Sequence, residues 1–308
     1  MPIGKDLASE ADEIDGFLAE LEGEEKIKEI AGLKSGFPGL DGLLNGILPG
    51  CHFLVGPPSC GKTSFAKQLC DQVAERNSAP VLFFTFAEGK QDLRIKTLAR
   101  LSGLESREIL RGRSFILHSY GVPKSHWTEA DMLPPSWQKL RAAAEEAKTW
   151  LSYVYLFECG EQFNIGEIRT RIVEFVERST AKETFVVIDD SQRLGPHNWA
   201  IEDRLPLVAE GLQSMAVETK LPLLAVWPDF SDGRDSQPHL WGEKIHAAQS
   251  VLVLRNDSAR DETATEPWSP VSFYVVKNRG GEKGKIRFEF QPAVSAFKES
   301  LPATRKST

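Results

Sequence analysis

The sequence predicts an α/β fold: a mostly parallel central sheet, helices on both of its faces, and a β-hairpin near the C-terminus. Three observations carry that prediction. Seven short apolar runs rich in Val, Phe and Leu recur from residue 50 onward. The first five show almost no polar alternation, as befits strands buried on both faces of a parallel sheet. Helical patterns separate the early runs, and strand–helix alternation marks a doubly wound sheet.

The elements follow in chain order. HFLVG (52–56) is the first strand and Thr63–Arg76 the helix after it. PVLFFTF (80–86) is the second strand, followed by a helix over Lys90–Leu101. Residues 104–160 break the alternation and read as an insertion, with Pro123, Pro134, Pro135, Trp127 and a helical segment over Trp137–Trp150. Trp137 and Trp150 read as core or interface anchors, because aromatics dominate buried area. A helix over Ile165–Arg178 leads to the strand FVVID (185–189), and a helix over Leu207–Lys220 leads to LLAVW (223–227). Residues 228–246, rich in Asp, Pro and Gly, read as a long loop, and loops of that length are usually functional. SVLVLR (250–255) is the fifth strand. FYVVKN (273–278) and IRFEF (286–290) flank RGGEKGK, whose glycines suit an antiparallel hairpin.

Composition narrows the function classes. The chain has 308 residues, 41% hydrophobic and 26% charged, which is a globular composition and excludes disordered and fibrous classes. No run approaches the roughly 18 apolar residues of a membrane span. The N-terminal stretch is acidic and resembles neither a secretory signal nor a transit peptide. Cys51, Cys60, Cys70 and Cys159 form no CxxC pair, a usage that suits a reducing cytoplasm and argues against a zinc site. The net charge of −7 is unevenly spread: residues 1–34 carry ten acids and four lysines, leaving −1 for the rest. The body is therefore neutral, and the total does not exclude a nucleic-acid partner. We divide the chain into an acidic helical arm (1–34), a main domain (35–298) and a tail (299–308). In the arm, Ile14, Phe17, Leu18 and Leu21 form one helical stripe.

Gly56, Pro57, Pro58, Ser59, Cys60, Gly61, Lys62 and Thr63 match GxxxxGK[ST] in full, between a strand and a helix that Ser64 continues. Glycines let the backbone wrap around phosphate oxygens, so that N–H groups and the helix N-terminus face the anion. The expectation is ATP with Mg²⁺: Lys62 reaches the β- and γ-phosphates and Thr63 ligates the metal. Asp189, ending an apolar strand, is the expected second metal residue, with Asp190 turned to the other face. Hydrolysis needs a group that orients or deprotonates water. Glu88, just past the second strand, stands at the carboxyl edge where parallel sheets keep their ligands. It also suits a helix-capping acid. Lys277 and Arg279, at i and i+2, project together from one side of a strand. They read either as solvated cations at a hairpin or as fingers that stabilise a transferring phosphoryl group.

Taken together, these residues resemble the C-terminal, RecA-like ATPase domain of DnaB-type replicative helicases, from about Ser35 to Phe297. SGFPGLDGLLNGILPG (35–50) resembles the family's lead-in to the phosphate loop. Asp189-Asp190-Ser191-Gln192 keeps its DxxQ spacing, and Lys277-Asn278-Arg279-Gly280-Gly281 with Gly284 resembles its KNRxGxxG hairpin. The resemblance implies a P-loop ATPase and DNA helicase of 5′–3′ polarity that works as a homo-hexamer on single-stranded DNA. It implies that Gln192 senses the γ-phosphate and that Lys277 and Arg279 act on the ATP of the adjacent subunit. Counting back from Leu93 puts Ala87 in the slot of the family's catalytic glutamate, one position before Glu88. The paired-glutamate arrangement of KaiC- and RadA-like relatives puts Glu88 there instead. In this sequence only the arm precedes the ATPase domain, so contacts made through the family's helical N-terminal domain are not carried over.

Arg193, Arg204, Arg234 and Lys244 are the candidates for DNA contact. They are few, and Asp229, Asp232, Asp235 and Glu243 surround the last two. That paucity keeps a second reading open, a KaiC- or RadA-like regulatory or recombination-associated ATPase without helicase activity. A small-molecule kinase shares the phosphate loop but not the DxxQ and KNR elements.

Overall fold

A computed structural model describes residues 30–119, 135–228, 247–257 and 267–300, except positions 162, 182 and 197. The arm's stripe, the loop 229–246 with Arg234 and Lys244, and residues 301–308 of the tail lie outside the described residues.

The described elements run in this order. Helix α1 (Pro38–Leu44) precedes β1 (Gly50–Gly56), α2 (Lys62–Asn77), β2 (Val81–Thr85) and α3 (Lys90–Ser102). Next come α4 (Ser106–Ser119), α5 (Pro135–Leu151), β3 (Val154–Glu158), α6 (Ile165–Arg178) and β4 (Phe185–Asp189). A 3₁₀ turn (Ser191–Leu194), α7 (Ile201–Thr219), β5 (Pro222–Pro228) and β6 (Ser250–Asn256) follow. Finally β7 (Ser269–Asn278), β8 (Gly284–Gln291) and β9 (Ala296–Glu299) close the described chain.

Nine strands form one sheet in the order β3-β2-β4-β5-β1-β6-β7-β8-β9. β3 through β6 in that order are parallel, and β7, β8 and β9 extend the sheet antiparallel. The predicted parallel core and C-terminal hairpin are both present. β1 lies mid-sheet, between β5 and β6.

Alternate residues of each buried strand serve opposite faces, which is why these runs are apolar throughout. Leu54, Phe83, Val187 and Leu224 pack with Phe65, Leu69 and Leu93 under α2 and α3. Phe53, Phe84, Ile188 and Ala225 pack with Ile168, Ile172, Leu212 and Met215 under α6 and α7. Phe65 is fully buried on α2 and meets the rings of Phe37, Phe273, Phe288 and Phe297 at 4.8–5.8 Å. The antiparallel extension is thereby held against the helix that follows the phosphate loop.

Several elements depart from the expected list, α1 in the lead-in segment among them. The 104–160 stretch supplies not only helices but β3, which pairs with β2 at the sheet edge. Its exposure on one side gives VYLFE a less apolar pattern than the inner strands. Trp150 packs in the core and Trp137 is half-buried. Helix α7 begins at Ile201, six residues before the expected Leu207, with Pro206 inside it. The hydrogen bond lost at Pro206 is offset by burial of Leu205, Val208, Ala209 and Leu212. β9 is too short for its periodicity to register in sequence.

Candidate functional site

At the carboxyl edge, the loop after β1 turns into α2 through two positions of left-handed backbone, Ser59 (φ 61°) and Gly61 (φ 96°). Gly61 is required twice over, since a Cβ there would also lie 2.9 Å from the rings of Phe290 and Phe297. Gly56 is equally tight: a Cβ there would lie 2.7 Å from Leu254 O and 2.8 Å from Cys60 Sγ. No side chain caps α2, so its first-turn N–H groups face the loop's hollow. Lys62 Nζ donates to the loop's own carbonyls, Gly56 O and Pro57 O, each at 2.7 Å. An anion with stronger acceptors would draw it off these partners.

Two strands away, Asp189 ends β4 almost fully buried, and its Oδ1 accepts the Thr63 hydroxyl at 3.2 Å. Its Oδ2 is buried with no partner among the described residues. Burial pushes the Asp189 carboxyl up to about 7, and the charges of Glu88 and Asp190 push the same way. The Thr63 hydrogen bond opposes the shift. A divalent cation would satisfy both the orphaned oxygen and the desolvated charge. Among the described residues no group of three or more His, Cys, Asp and Glu is placed to hold a metal ion by itself. Thr63 and Asp189, in contact with one another, are a pair of the kind that holds Mg²⁺ beside water and phosphate.

Asp190 (φ 60°) turns out of the strand in left-handed backbone. Its carboxylate accepts Gln192 Nε2 and pairs with Arg193 Nε at 2.6 Å. It therefore orders the 3₁₀ turn rather than facing the loop. Gln192 Oε1 is buried and has no partner among the described residues. Ser191 Oγ ties the same turn to Val226 O on β5 at 2.8 Å. Of the DNA candidates, Arg193 is held by Asp190. Arg204 lies half-buried over Gly195, where any Cβ would fall 2.1 Å from its Cγ.

Glu88 follows β2 in a turn organised by Thr85, whose hydroxyl donates to Glu88 O (3.0 Å) and accepts Glu88 N (3.1 Å). Lys96 on α3 holds its carboxylate at 3.2 Å and approaches Ser64 Oγ at 3.4 Å. Sequence reasoning does not single out Lys96. Its signal, eight residues after Glu88 on the next helix, becomes meaningful only once α3 lies beside α2. The same helix pair encloses a buried ionic knot. Asp71 on α2 pairs with Lys67 and Arg100 and accepts the Thr97 hydroxyl at 2.8 Å. Burial pushes the Asp71 carboxyl up, yet Lys67 and Arg100 hold it below the usual carboxylate value.

The KNR element lies at the opposite, amino edge of the sheet. Asn278 pairs with Ser250 at the start of β6, and Ser250 pairs with His52 at the start of β1. Arg279 N donates to Gln249 O at 2.9 Å, and Gln249 N donates to Cys51 O at 2.8 Å. Five residues of strand, about 16 Å, separate Cys51 from Gly56. Arg279 therefore does not meet the phosphate loop of its own chain, whereas Lys62, Thr63, Asp189 and Glu88 converge there. Burial, and then the charge of Arg279, lower the pKa of Lys277. Beneath the hairpin, His52 Nε2 donates to Leu48 O and its Nδ1 accepts the Ser250 hydroxyl, both at 2.7 Å. Burial pushes the pKa of this ring down to about 4, so it is neutral at pH 7.

Residues 32–299 match the family described as the DnaB-like helicase C terminal domain. The chain belongs to that family. Among curated relatives, it is similar to the replicative DNA helicase DnaB of Pasteurella multocida (strain Pm70), 23% identical over 284 residues. That alignment covers 87% of this chain and 55% of the relative. A probable replicative DNA helicase of Trieres chinensis is 25% identical over 307 residues, covering 95% of this chain and 63% of the relative. The chain thus spans a little over half the length of the curated relatives it matches. Among solved structures, one described as an ATPase domain superposes with a TM-score of 0.77 at 21% identity, over 95% of this chain and 99% of that one. A DnaB-like replicative helicase, described with its interactions with primase, superposes with a TM-score of 0.74 at 20% identity, over 96% and 68%. These superpositions establish the fold that the DnaB-like family shares with this chain. Among the described residues no helix is long and apolar enough to cross a membrane.

Proposed function

We propose that the chain is a Mg²⁺-dependent ATPase motor of the DnaB-like family that assembles as a homo-hexameric ring, translocates 5′–3′ on single-stranded DNA and separates duplex. Lys62 binds the β- and γ-phosphates in the cradle of Gly56–Ser64. Thr63 and Asp189 hold Mg²⁺, which neutralises charge on the phosphate oxygens when bound. Glu88, kept at the carboxyl edge by Thr85 and Lys96, orients and deprotonates the attacking water. Gln192, with one carboxamide oxygen unengaged among the described residues, reports the γ-phosphate to the loop that follows. Arg193 and Arg204, together with Arg234 and Lys244 from the stretch outside the described residues, are the cations offered to the strand. A ring multiplies each of these contacts, so few cations per subunit suffice.

The observation that carries the ring reading is the opposition of the two sheet edges. The phosphate loop and its acids lie at one, Lys277 and Arg279 at the other. A cation that cannot serve its own nucleotide serves a neighbour's when subunits pack head to tail, and such an interface closes into a ring where its rotation permits and otherwise propagates as a filament. Comparing ATPase rates with and without single-stranded DNA, on an assembly whose mass is measured, tests this. Stimulation in a hexamer is the expected result. A hexamer with no DNA response would replace it with the regulatory reading, an ATPase without helicase activity.

A further inference from the structure

The hairpin that carries Arg279 is seated by side-chain and loop contacts rather than by strand pairing alone. Asn278, between Lys277 and Arg279, turns its carboxamide inward. Its Nδ2 donates to Leu43 O (2.8 Å) and Glu282 O (3.2 Å), and its Oδ1 accepts Gly280 N (3.1 Å). Leu43 O also accepts Glu282 N at 3.0 Å. Leu43 belongs to α1, and its carbonyl sits in the helix's last turn, where such acceptors lack helical partners. The glycines after Arg279 complete the seat. A Cβ on Gly280 would lie 2.2 Å from Leu48 Cδ1, and one on Gly281 would lie 2.2 Å from Leu43 O.

The other end of α1 is tied to the nucleotide side of the molecule. The Glu299 carboxylate, at the end of β9, accepts Gly39 N (2.9 Å) and Leu40 N (3.1 Å) from the first turn of α1. Two residues earlier, the Phe297 backbone exchanges two hydrogen bonds with the Gln68 side chain on α2, at 2.9 and 2.7 Å. The Phe297 ring also lies against Gly61 of the phosphate loop. Short polar contacts thus connect α2 through β9, Glu299 and α1 to Asn278.

We propose that Asn278 is a positioning residue for Arg279, and that α1, clamped by Glu299, is the support that holds the finger in register with the neighbour's site. This rests on the reading of Arg279 as a finger acting in trans. The Asn278 carboxamide bonds the backbone of its own chain. It fixes the hairpin whose displacement moves the guanidinium, and a misplacement of about 1 Å in a charge-stabilising group can cost on the order of 100-fold in rate. The Glu299–α1 support gives each subunit's own nucleotide site a mechanical route to the finger it offers next door.

Complementation in mixed assemblies tests the proposal. Lys62→Ala chains keep a finger but have a dead site, and Arg279→Ala chains keep a site but lack a finger. Their mixture is expected to regain ATPase activity at the shared interface. Adding Asn278→Asp to the Lys62→Ala finger donor sets an acceptor against Leu43 O and Glu282 O, and should lower the regained rate roughly 10- to 100-fold with KM for ATP unchanged. The same substitution in the Arg279→Ala chain should leave the regained rate as it was. Glu299→Ala in the donor should act in the same direction, and decides the matter if the Asn278 variant does not fold. A donor carrying either substitution that restores the full rate overturns the proposal, as does an equal loss from either chain. If the parent pair regains nothing, the trans reading of Arg279 itself falls, and the positioning role falls with it.

Discussion

Replacing Asp71 with alanine isolates the buried ionic knot between α2 and α3. Lys67 and Asp71 are 1% and 2% exposed, and Thr97 is 2% exposed, so water cannot take over for the lost carboxylate. The ammonium of Lys67 would keep one hydroxyl, Thr97 Oγ1 at 2.7 Å, and no counter-charge. Leaving one partner of a buried pair uncompensated costs about 3–5 kcal/mol. Asp71→Ala should therefore lower the unfolding free energy by that amount in urea titrations at neutral pH, with an unchanged slope. Lys67→Met with Asp71→Leu removes both charges and should cost much less than the single change, because the desolvation penalty goes with them. The pH dependence has a definite sign. The carboxyl is held below its ordinary value in the folded chain, so its contribution is present above the unfolded pKa near 3.8 and is lost as pH falls through the folded value. Since α3 also presents Lys96 to Glu88, the single variant should lose ATPase activity before it unfolds. A cost under about 1 kcal/mol, or a double variant worse than the single, would refute the desolvation argument.

Lys62→Ala should abolish ATP turnover in a steady-state phosphate-release assay, and unchanged turnover would remove the phosphate loop from the reaction. Glu88→Gln should slow hydrolysis by roughly 10²–10⁴-fold while ATP still binds, as measured by equilibrium binding beside turnover. Wild-type turnover would pass the role to another acid. Lys96→Met frees the Glu88 carboxylate and should lower kcat more than it raises KM; an effect on KM alone would make Lys96 a binding residue. His52 protonates near pH 6.5 when unfolded but only near 4 when folded, so the unfolded chain binds more protons between those values. Its contribution, on the order of 3 kcal/mol, should be lost as pH falls from about 6.5 to about 4. In urea titrations across that window His52→Asn should flatten the loss, and an unaltered slope would show that the ring is not the group titrating.

The nucleotide half of the candidate site is legible in the sequence because its signals are local. GPPSCGKT carries its own geometry in a run of eight residues, and FVVID announces a buried strand with an acid at its end. That Asp189, not Asp190, faces Thr63 is also readable, from alternation along the strand. Lys96, Thr85 and the Lys67–Asp71–Arg100 knot are not. Each is an ordinary polar residue of a helix or strand until two helices are laid side by side, and sequence spacing says nothing of which helices will be neighbours. β3 escapes the sequence pattern for a related reason: an edge strand need not be apolar on both faces.

By itself, the sequence determined the class of fold, the order of the inner strands along the chain and the chemistry available to the phosphate loop, because strand burial and phosphate cradling are short-range properties. Only the tertiary structure decided which edge of the sheet each group occupies. Parallel strands all point one way, so every loop after a parallel strand gathers at the carboxyl edge. β7 runs antiparallel to β6 and delivers Lys277, Asn278 and Arg279 to the amino edge instead. That reversal of one strand, which no residue in FYVVKN dictates, puts Lys277 and Arg279 at the edge of the sheet opposite the phosphate loop.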